Sequence, residues 1–430
     1  MRLRSAVAVL VVAAVPLSAV VAPANAGGDR IDLVSVGVDG GGGNGPSFAG
    51  TEKGLGVSAH GRYVVFSSYA SDLVAGDTNG DRDVFVRDTV TGRTTLVSVG
   101  VNGAQGNGES RQGSISADGR YVAFNSYATN LFPGDTNDGP DVFVRDLRTG
   151  RTTLVSTGLE RLANHGAHQP EISADGRHVV FTSASTNLVA GDTNDFEDIF
   201  VRDLRAGRTE RVSLTADGQQ TAIFSRDPAI SADGRIVAFT SENSRVLVRD
   251  RAKKTTRVVS DGVVIDPGTF IVEMVYLSVS GDGGSVLFTV VEYGGPFDAV
   301  ANIWLRDLRT DRLRLITADD QGRPNSTVGP VFRSDVSADG RYVTFGTPAR
   351  LTAADTGNLS DVFRLDRRTG ARVWITRKQD QNPPNGGNGS VGPAISDDGQ
   401  HVAFDSDNQQ LVPGGSPSGN DTYLWSTARR

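Results

Sequence analysis

Short runs rich in Val, Ile, Phe, Tyr and Thr, with apolar and polar positions partly alternating, recur along almost the whole chain. Such runs predict strands with one face turned inward. Outside the first 26 residues no window carries the 3.6-residue periodicity of an amphipathic helix. The segment 114–158 shows the unit: strand-like runs at 121–124, 142–144 and 152–156, with Asp118-Gly119 turning the chain between 114–115 and 121–124. Asp-Gly between two extended runs is a strong hairpin signal, because glycine accepts the positive φ that such turns require. The turn recurs seven times, as SAHG at Ser58, SADG at Ser116, Ser173 and Ser231, SGDG at Ser280, SADG at Ser337 and SDDG at Ser396. The steps between the turn glycines are 58, 57, 58, 49, 57 and 59 residues. A nearly fixed period marks an array of similar supersecondary units.

Four antiparallel strands per repeat, ordered as a meander, make one blade, and blades close into a ring because a ring leaves only short, protected edges. The seventh copy runs through its third strand at 421–425 and then ends. Near the start of the chain, Leu33-Val34-Ser35-Val36-Gly37 repeats the fourth-strand sequence Leu96-Val97-Ser98-Val99-Gly100 letter for letter. The reading is therefore an all-β, seven-bladed β-propeller of four-stranded antiparallel blades, latched by an N-terminal strand that completes the last blade.

Charge and composition narrow the setting. Arg2 and Arg4, the apolar run 5–22 and Ala24-Asn25-Ala26 have the layout of an export signal. The expected organisation is a signal peptide over 1–26 and a single propeller domain over 27–430, secreted and remaining outside the membrane. There is no cysteine, which excludes disulfides, thiolate metal sites and cysteine nucleophiles. The net charge is −7, and −9 without the two leader arginines, which disfavours a nucleic-acid partner.

The pattern I-S-A-D-G-R-x-V-A-F, then D-V-F-V-R-D, then T-G-x-T resembles the propeller repeats of TolB-type proteins, whose blades are related to those of tricorn-like proteases, prolyl oligopeptidases and oligogalacturonate lyases. The resemblance spans essentially all of the chain after the leader and implies the propeller fold. The chain departs from TolB in having seven copies rather than six and no segment for the separate α/β domain. A role with the Tol envelope machinery is therefore not carried over.

The repeats exceed the roughly 40–45 residues of a WD-type blade. The excess falls between strands two and three and between successive blades, and both connections emerge on one face of the ring. One elaborated face and one plain face of tight turns follow. Loops on a rigid scaffold are where function usually resides. The loop between strands two and three reads GDTNGDRD at Gly76, GDTNDGPD at Gly134 and GDTNDFED at Gly191. Alternate oxygen-bearing side chains suit Ca²⁺, which takes six to eight hard oxygen ligands. The candidate ligands are Asp77, Asn79, Asp81 and Asp83, then Asp135, Asn137 and Asp141, then Asp192, Asn194 and Asp198. The competing reading is a loop held by Asx turns, with Asp83, Asp141 and Asp198 simply opening strand three. The interblade loops are rich in Asn, Gly and Gln, whose amides suit a sugar or an extended peptide. The competing reading is that Asn and Gly only satisfy left-handed turn conformations.

Catalytic motifs are sparse. His165 and His168 are the only close histidine pair, and there is no G-x-S-x-G elbow. His60, His178 and His401 fall at turn or strand positions that need no function. The leading expectation is a monomeric, non-enzymatic secreted propeller that binds a protein or glycan. A polysaccharide lyase or hydrolase with its site at the channel mouth is the second reading, and a Ca²⁺-stiffened structural module the third.

Overall fold

The computed structural model describes residues 21–23 and 28–428, apart from 49–55, 136, 138, 160–161, 242–243, 266–268, 270, 295–298, 319–321, 325, 328–332, 352–358, 378–388, 409–410 and 417–418. The expected leader lies outside these residues except for Val21–Pro23, which pairs in parallel with Arg372–Trp374 at the outer edge of blade six. Seven antiparallel sheets follow the seven repeats, over residues 47–96, 110–154, 167–211, 225–258, 271–315, 334–374 and 390–426. Within each, the strands run in chain order from the innermost to the outermost. The seventh sheet takes its outermost strand from Arg30–Leu33, which pairs antiparallel with 423–426. The seven-bladed propeller and its N-terminal latch are what the repeat predicted.

Each blade is apolar on both faces. In blade one, Phe66 and Phe85 sit directly opposite each other on the second and third strands, stacked at 5.8 Å. They pack with Ala394, Ala403 and Leu424 of blade seven. The alternate residues Val65, Val84 and Val86 point to the other side, against Val122, Phe124 and Phe143 of blade two. Period-two alternation thus assigns one residue set to each neighbouring blade. Stacked aromatic pairs recur in blades two, three and six, and as Phe404 with Tyr423 in blade seven.

The Ser-x-Asp-Gly turns do more than reverse the chain. In blade two, Ser116 Oγ donates to Asp118 and accepts from the Tyr121 amide, while Asp118 also accepts from the Arg120 amide. Gly119 has φ +72°, and a Cβ there would lie 2.0 Å from the Tyr63 ring of the preceding blade. The turn glycine is required both by its conformation and by this seat for an aromatic ring. Successive turns are then joined by backbone hydrogen bonds. Ala59 donates to Ala117, Ala117 to Ala174, Asp175 to Ala232, Ala232 to Gly281, Asp282 to Ala338, Ala338 to Asp397, and Asp398 back to Ala59, over 2.8–3.4 Å. This circle of seven bonds draws the narrow end of the central channel together. Ala or Gly follows the serine in six of the seven copies because the blades meet too closely there for bulk.

A second repeated bond ties the fourth strand to the third. Ser98, Ser156 and Ser213 donate to the buried carboxylates of Asp83, Asp141 and Asp198 at the start of strand three. In blade seven the partner of Asp421 is Ser35, from the N-terminal latch, at 2.7 Å, and Ser35 Oγ also accepts from the Thr422 amide. Loss of a buried hydrogen-bond partner costs about 1–3 kcal/mol. Ser35→Ala is expected to lower the unfolding free energy by that amount, as Ser98→Ala does, in urea titrations of each variant. A loss for Ser35→Ala well below that for Ser98→Ala would show a latch that frays independently of the ring.

Candidate functional site

The innermost strands line a central channel, entered at the wide face where the long loops emerge. Counting back from each turn serine, the fifth residue is Arg111 in blade two, His168 in blade three and Arg226 in blade four. Three consecutive blades therefore present a cationic or proton-binding side chain at one structural position near the wide mouth. His168 Nε2 lies 3.3 Å from Glu197 Oε1, and Arg226 Nε donates to the other oxygen of Glu197. Arg82 and Arg111 flank Glu109 at 3.8 and 3.9 Å. Aromatic rings stand beside these cations: Arg82 lies over Phe48, Arg111 over Tyr127 and Arg226 over Phe224, at 4.5–5.3 Å. Tyr69, Tyr127, Phe196 and Phe224 are all more than 40% exposed. The arc thus combines cations with open aromatic faces.

His168 is about a third exposed. Burial, with help from Arg226 and Arg111, holds its pKa below the ordinary histidine value, while Glu197 pulls the other way. The ring is accordingly neutral at physiological pH. A neutral imidazole keeps one ring nitrogen unprotonated and able to accept a proton.

One residue deeper, five inner strands share an irregularity. The register shifts between Arg111 and Ser114, His168 and Glu171, Arg226 and Ala229, Val275 and Ser278, and Val391 and Ala394. The bulged residues Gln112, Gln169, Asp227, Tyr276 and Gly392 all have positive φ, between 52° and 60°. For a tyrosine that conformation is strained, and such strain gathers at functional sites. Gln169 accepts from the Asp227 amide at 3.1 Å and donates to the Asp227 carboxylate at 3.2 Å, while the Gln169 amide donates to Gln112 at 2.8 Å. Below this level, Glu171 accepts from the Ile230 amide, and Asp335 from the Ile395 amide and from Ser278 Oγ. These side chains cover the free edge of the next blade's inner strand.

The ten residues predicted as Ca²⁺ ligands lie on the wide face but away from the channel, between strands two and three. Gln105, from the following interblade loop, places its amide nitrogen 2.7 Å from Asp77 and 2.9 Å from Asp83, and Asn79 also donates to Asp83. The Asn79 carbonyl caps the Asp81 amide. In the third copy Gln220 bridges Asp192 and Asp198 in the same way, Arg211 approaches both, and Asn194 donates to the Thr221 carbonyl. Amide donors thus hold the carboxylates together in these two loops. The second copy has no such glutamine, and within the loop Asn137 and Asp135 approach Asp141. The other motifs are structural: His60 bonds Asp398 across the junction of blades one and seven, and His178 and His401 pack on the turn glycines Gly234 and Gly61. The aspartate that ends strand three is clamped within its own blade, with Asp146 accepting from both Nε and Nη2 of Arg120. Sequence reading missed the arc and the bulge ring, because each blade contributes one residue from a strand with no local motif.

No family model and no curated protein matches this sequence. Among solved structures, an oligogalacturonate lyase in complex with manganese matches at 14% identity, over 96% of this chain and 97% of that one, with TM-score 0.56. An oligogalacturonate lyase from Vibrio parahaemolyticus matches at 13% identity, over 93% and 97% of the two chains, with TM-score 0.55. TolB from Acinetobacter baumannii matches at 17% identity, over 68% of this chain and 58% of that one, with TM-score 0.40. The expectation of a non-enzymatic binding module does not stand against the two end-to-end matches, both of which are enzymes. It rested on the lack of a local catalytic motif, which a site built from single residues of successive blades does not need. As for a metal, no group of three or more His, Asp or Glu side chains gathers among the described residues in a way that would hold an ion. Only two of the five histidines, His165 and His168, stand on the wide face. The donor set therefore does not fit a site of that kind.

Burial pushes the Asp141 carboxyl up to about 6, with Asp135 adding to the shift. Because the folded pKa is raised, the protonated form favours the fold. That contribution is full below the unfolded pKa of about 3.9 and is lost as the pH rises through about 6. The stability difference between the wild type and Asp141→Asn is expected to shift in favour of the variant between pH 4 and pH 7, read from denaturant midpoints at each pH. A constant difference over that window would refute the raised pKa.

Proposed function

We propose that the chain is an exported polysaccharide lyase that cleaves an acidic, uronate-containing oligosaccharide at the wide mouth of the channel. The observation that carries this reading is the placement of Arg111, His168 and Arg226 at one structural position in three consecutive blades, beside exposed aromatic rings. End-to-end likeness to oligogalacturonate lyases supports it. Aromatic faces suit the apolar face of a sugar ring, and guanidinium groups pair with its carboxylate in two-pronged geometry.

Elimination from a uronate needs a base for the proton beside the carboxylate and positive charge to stabilise the carbanion that develops. Neutral His168 is the base, taking the C5 proton on its unprotonated ring nitrogen, and Glu197, 3.3 Å from Nε2, stabilises the imidazolium that forms. Arg226 and Arg111 stabilise the charge as it spreads into the carboxylate. The electron pair forms the C4–C5 double bond as the bond from C4 to the leaving sugar oxygen breaks, and that oxygen takes a proton from water. The unequal arc gives the bound chain a direction, which a symmetric ring would lack.

Incubation with oligogalacturonates is expected to release unsaturated products, detected by the ultraviolet absorbance of the conjugated uronate. His168→Ala is expected to lower the rate about 10²–10⁴-fold, the usual contribution of a positioned base. The rate is expected to fall only below the ordinary histidine pKa of about 6.5, because the shift is downward. Saturated products, or full activity in His168→Ala, would refute the elimination mechanism.

A further inference from the structure

Arg333 stands at the position of blade six equivalent to the bulges of the other blades, four residues before its turn serine, and lines the channel beneath the mouth. It is 8% exposed, and its Nε is buried with no hydrogen-bond partner among the described residues. The carboxylates that share the channel are committed elsewhere. Glu171 accepts from the Ile230 amide, Asp335 from Ser278 and the amides of Val336 and Ile395, and Asp227 from Gln169. Burial pushes the Asp397 carboxyl up, with Asp335 and Asp398 adding to the shift. A guanidinium whose Nε is left without a partner in a low-dielectric channel is a strong site for an anion of matching shape.

Its surroundings set the size and type of that anion. The channel below holds a cavity of about 130 Å³, lined by the inner strands of all seven blades and room for a few water molecules or one small anionic group. Tyr276, on the adjoining blade, occupies the same bulge position in its strained conformation. Gly392 takes that position in blade seven and leaves the other flank of Arg333 without a side chain. The donor is thus placed between a phenol and an opening.

We infer that Arg333 forms an anion site in the channel that takes a single carboxylate of an acidic sugar, with guanidinium charge in the place of a metal ion. The inference rests on the reading that the channel receives the sugar, but not on the elimination chemistry. The site lies one strand position deeper than the cationic arc and on the opposite side of the ring. It therefore selects for a sugar whose carboxylate reaches down into the channel.

The test is calorimetric titration of the full chain with D-galacturonate, with D-galactose as the uncharged control, all in the presence of EDTA. The expected result is binding of galacturonate and not of galactose, undiminished by EDTA. Arg333→Gln is expected to weaken it tenfold or more, with Arg333→Lys retaining part of it, since a charge-assisted hydrogen bond contributes on that scale. Circular dichroism melting shows whether the variants fold, and if Arg333→Gln does not, the comparison of Arg333→Lys with wild type decides. The inference is overturned by equal or absent binding of the two sugars, by loss of binding in EDTA, or by undiminished binding in Arg333→Gln. Galacturonate binding without release of unsaturated product removes the elimination reading and leaves the anion site standing.

Discussion

A blade of this chain is apolar on both faces, and only a closed ring covers both. Phe66 and Phe85 need blade seven on one side, while Val65, Val84 and Val86 need blade two on the other. The same demand holds at every junction, so the first and last copies must meet. They meet through the chain termini: Arg30–Leu33 completes the sheet of 390–426, and Ser35 supplies Asp421 with the hydrogen bond that Ser98 gives Asp83. Everything else, including the channel and its mouth, exists because the ring is shut.

Closure makes the two ends of the channel different in kind. At the narrow end, seven turns touch through a circle of backbone hydrogen bonds that leaves room for little beyond alanine and glycine. At the wide end the inner strands diverge, and bulges at five of them turn one residue each toward the axis. A repeated scaffold with unequal residues at its bulges becomes a polar ring with a direction. At the bulges, blades two to four carry Gln112, Gln169 and Asp227, with Arg111, His168 and Arg226 one position above them. Blade five carries Tyr276 and blade seven Gly392, while blade six has Arg333 at the equivalent position.

The fold was almost wholly legible in the chain, and the site was not, for related reasons. Repetition makes a structural residue visible, since Ser116, Asp118 and Gly119 recur at a fixed period and with fixed neighbours. The proposed site lies in what the copies do not share. Arg111, His168 and Arg226 are separated by 57 and 58 positions and belong to strands with little hydrophobic pattern, so no local motif announces them. Aligning the copies on the turn serine and reading down the fifth residue before it would have found them. The conspicuous Asp-Asn loops drew attention instead. Gln105 and Gln220, one loop further on, explain most of their conservation of form between copies one and three.

The central claim is that the wide mouth above blades two to four receives an acidic sugar chain. A crystal structure of the His168→Ala chain with a galacturonate trisaccharide tests it most directly. The account predicts sugar rings against Tyr127 and Phe224, with a carboxylate between Arg111 and Arg226. Sugar bound on the narrow face or along the outer strands, or a mouth left empty at saturating trisaccharide, would contradict it.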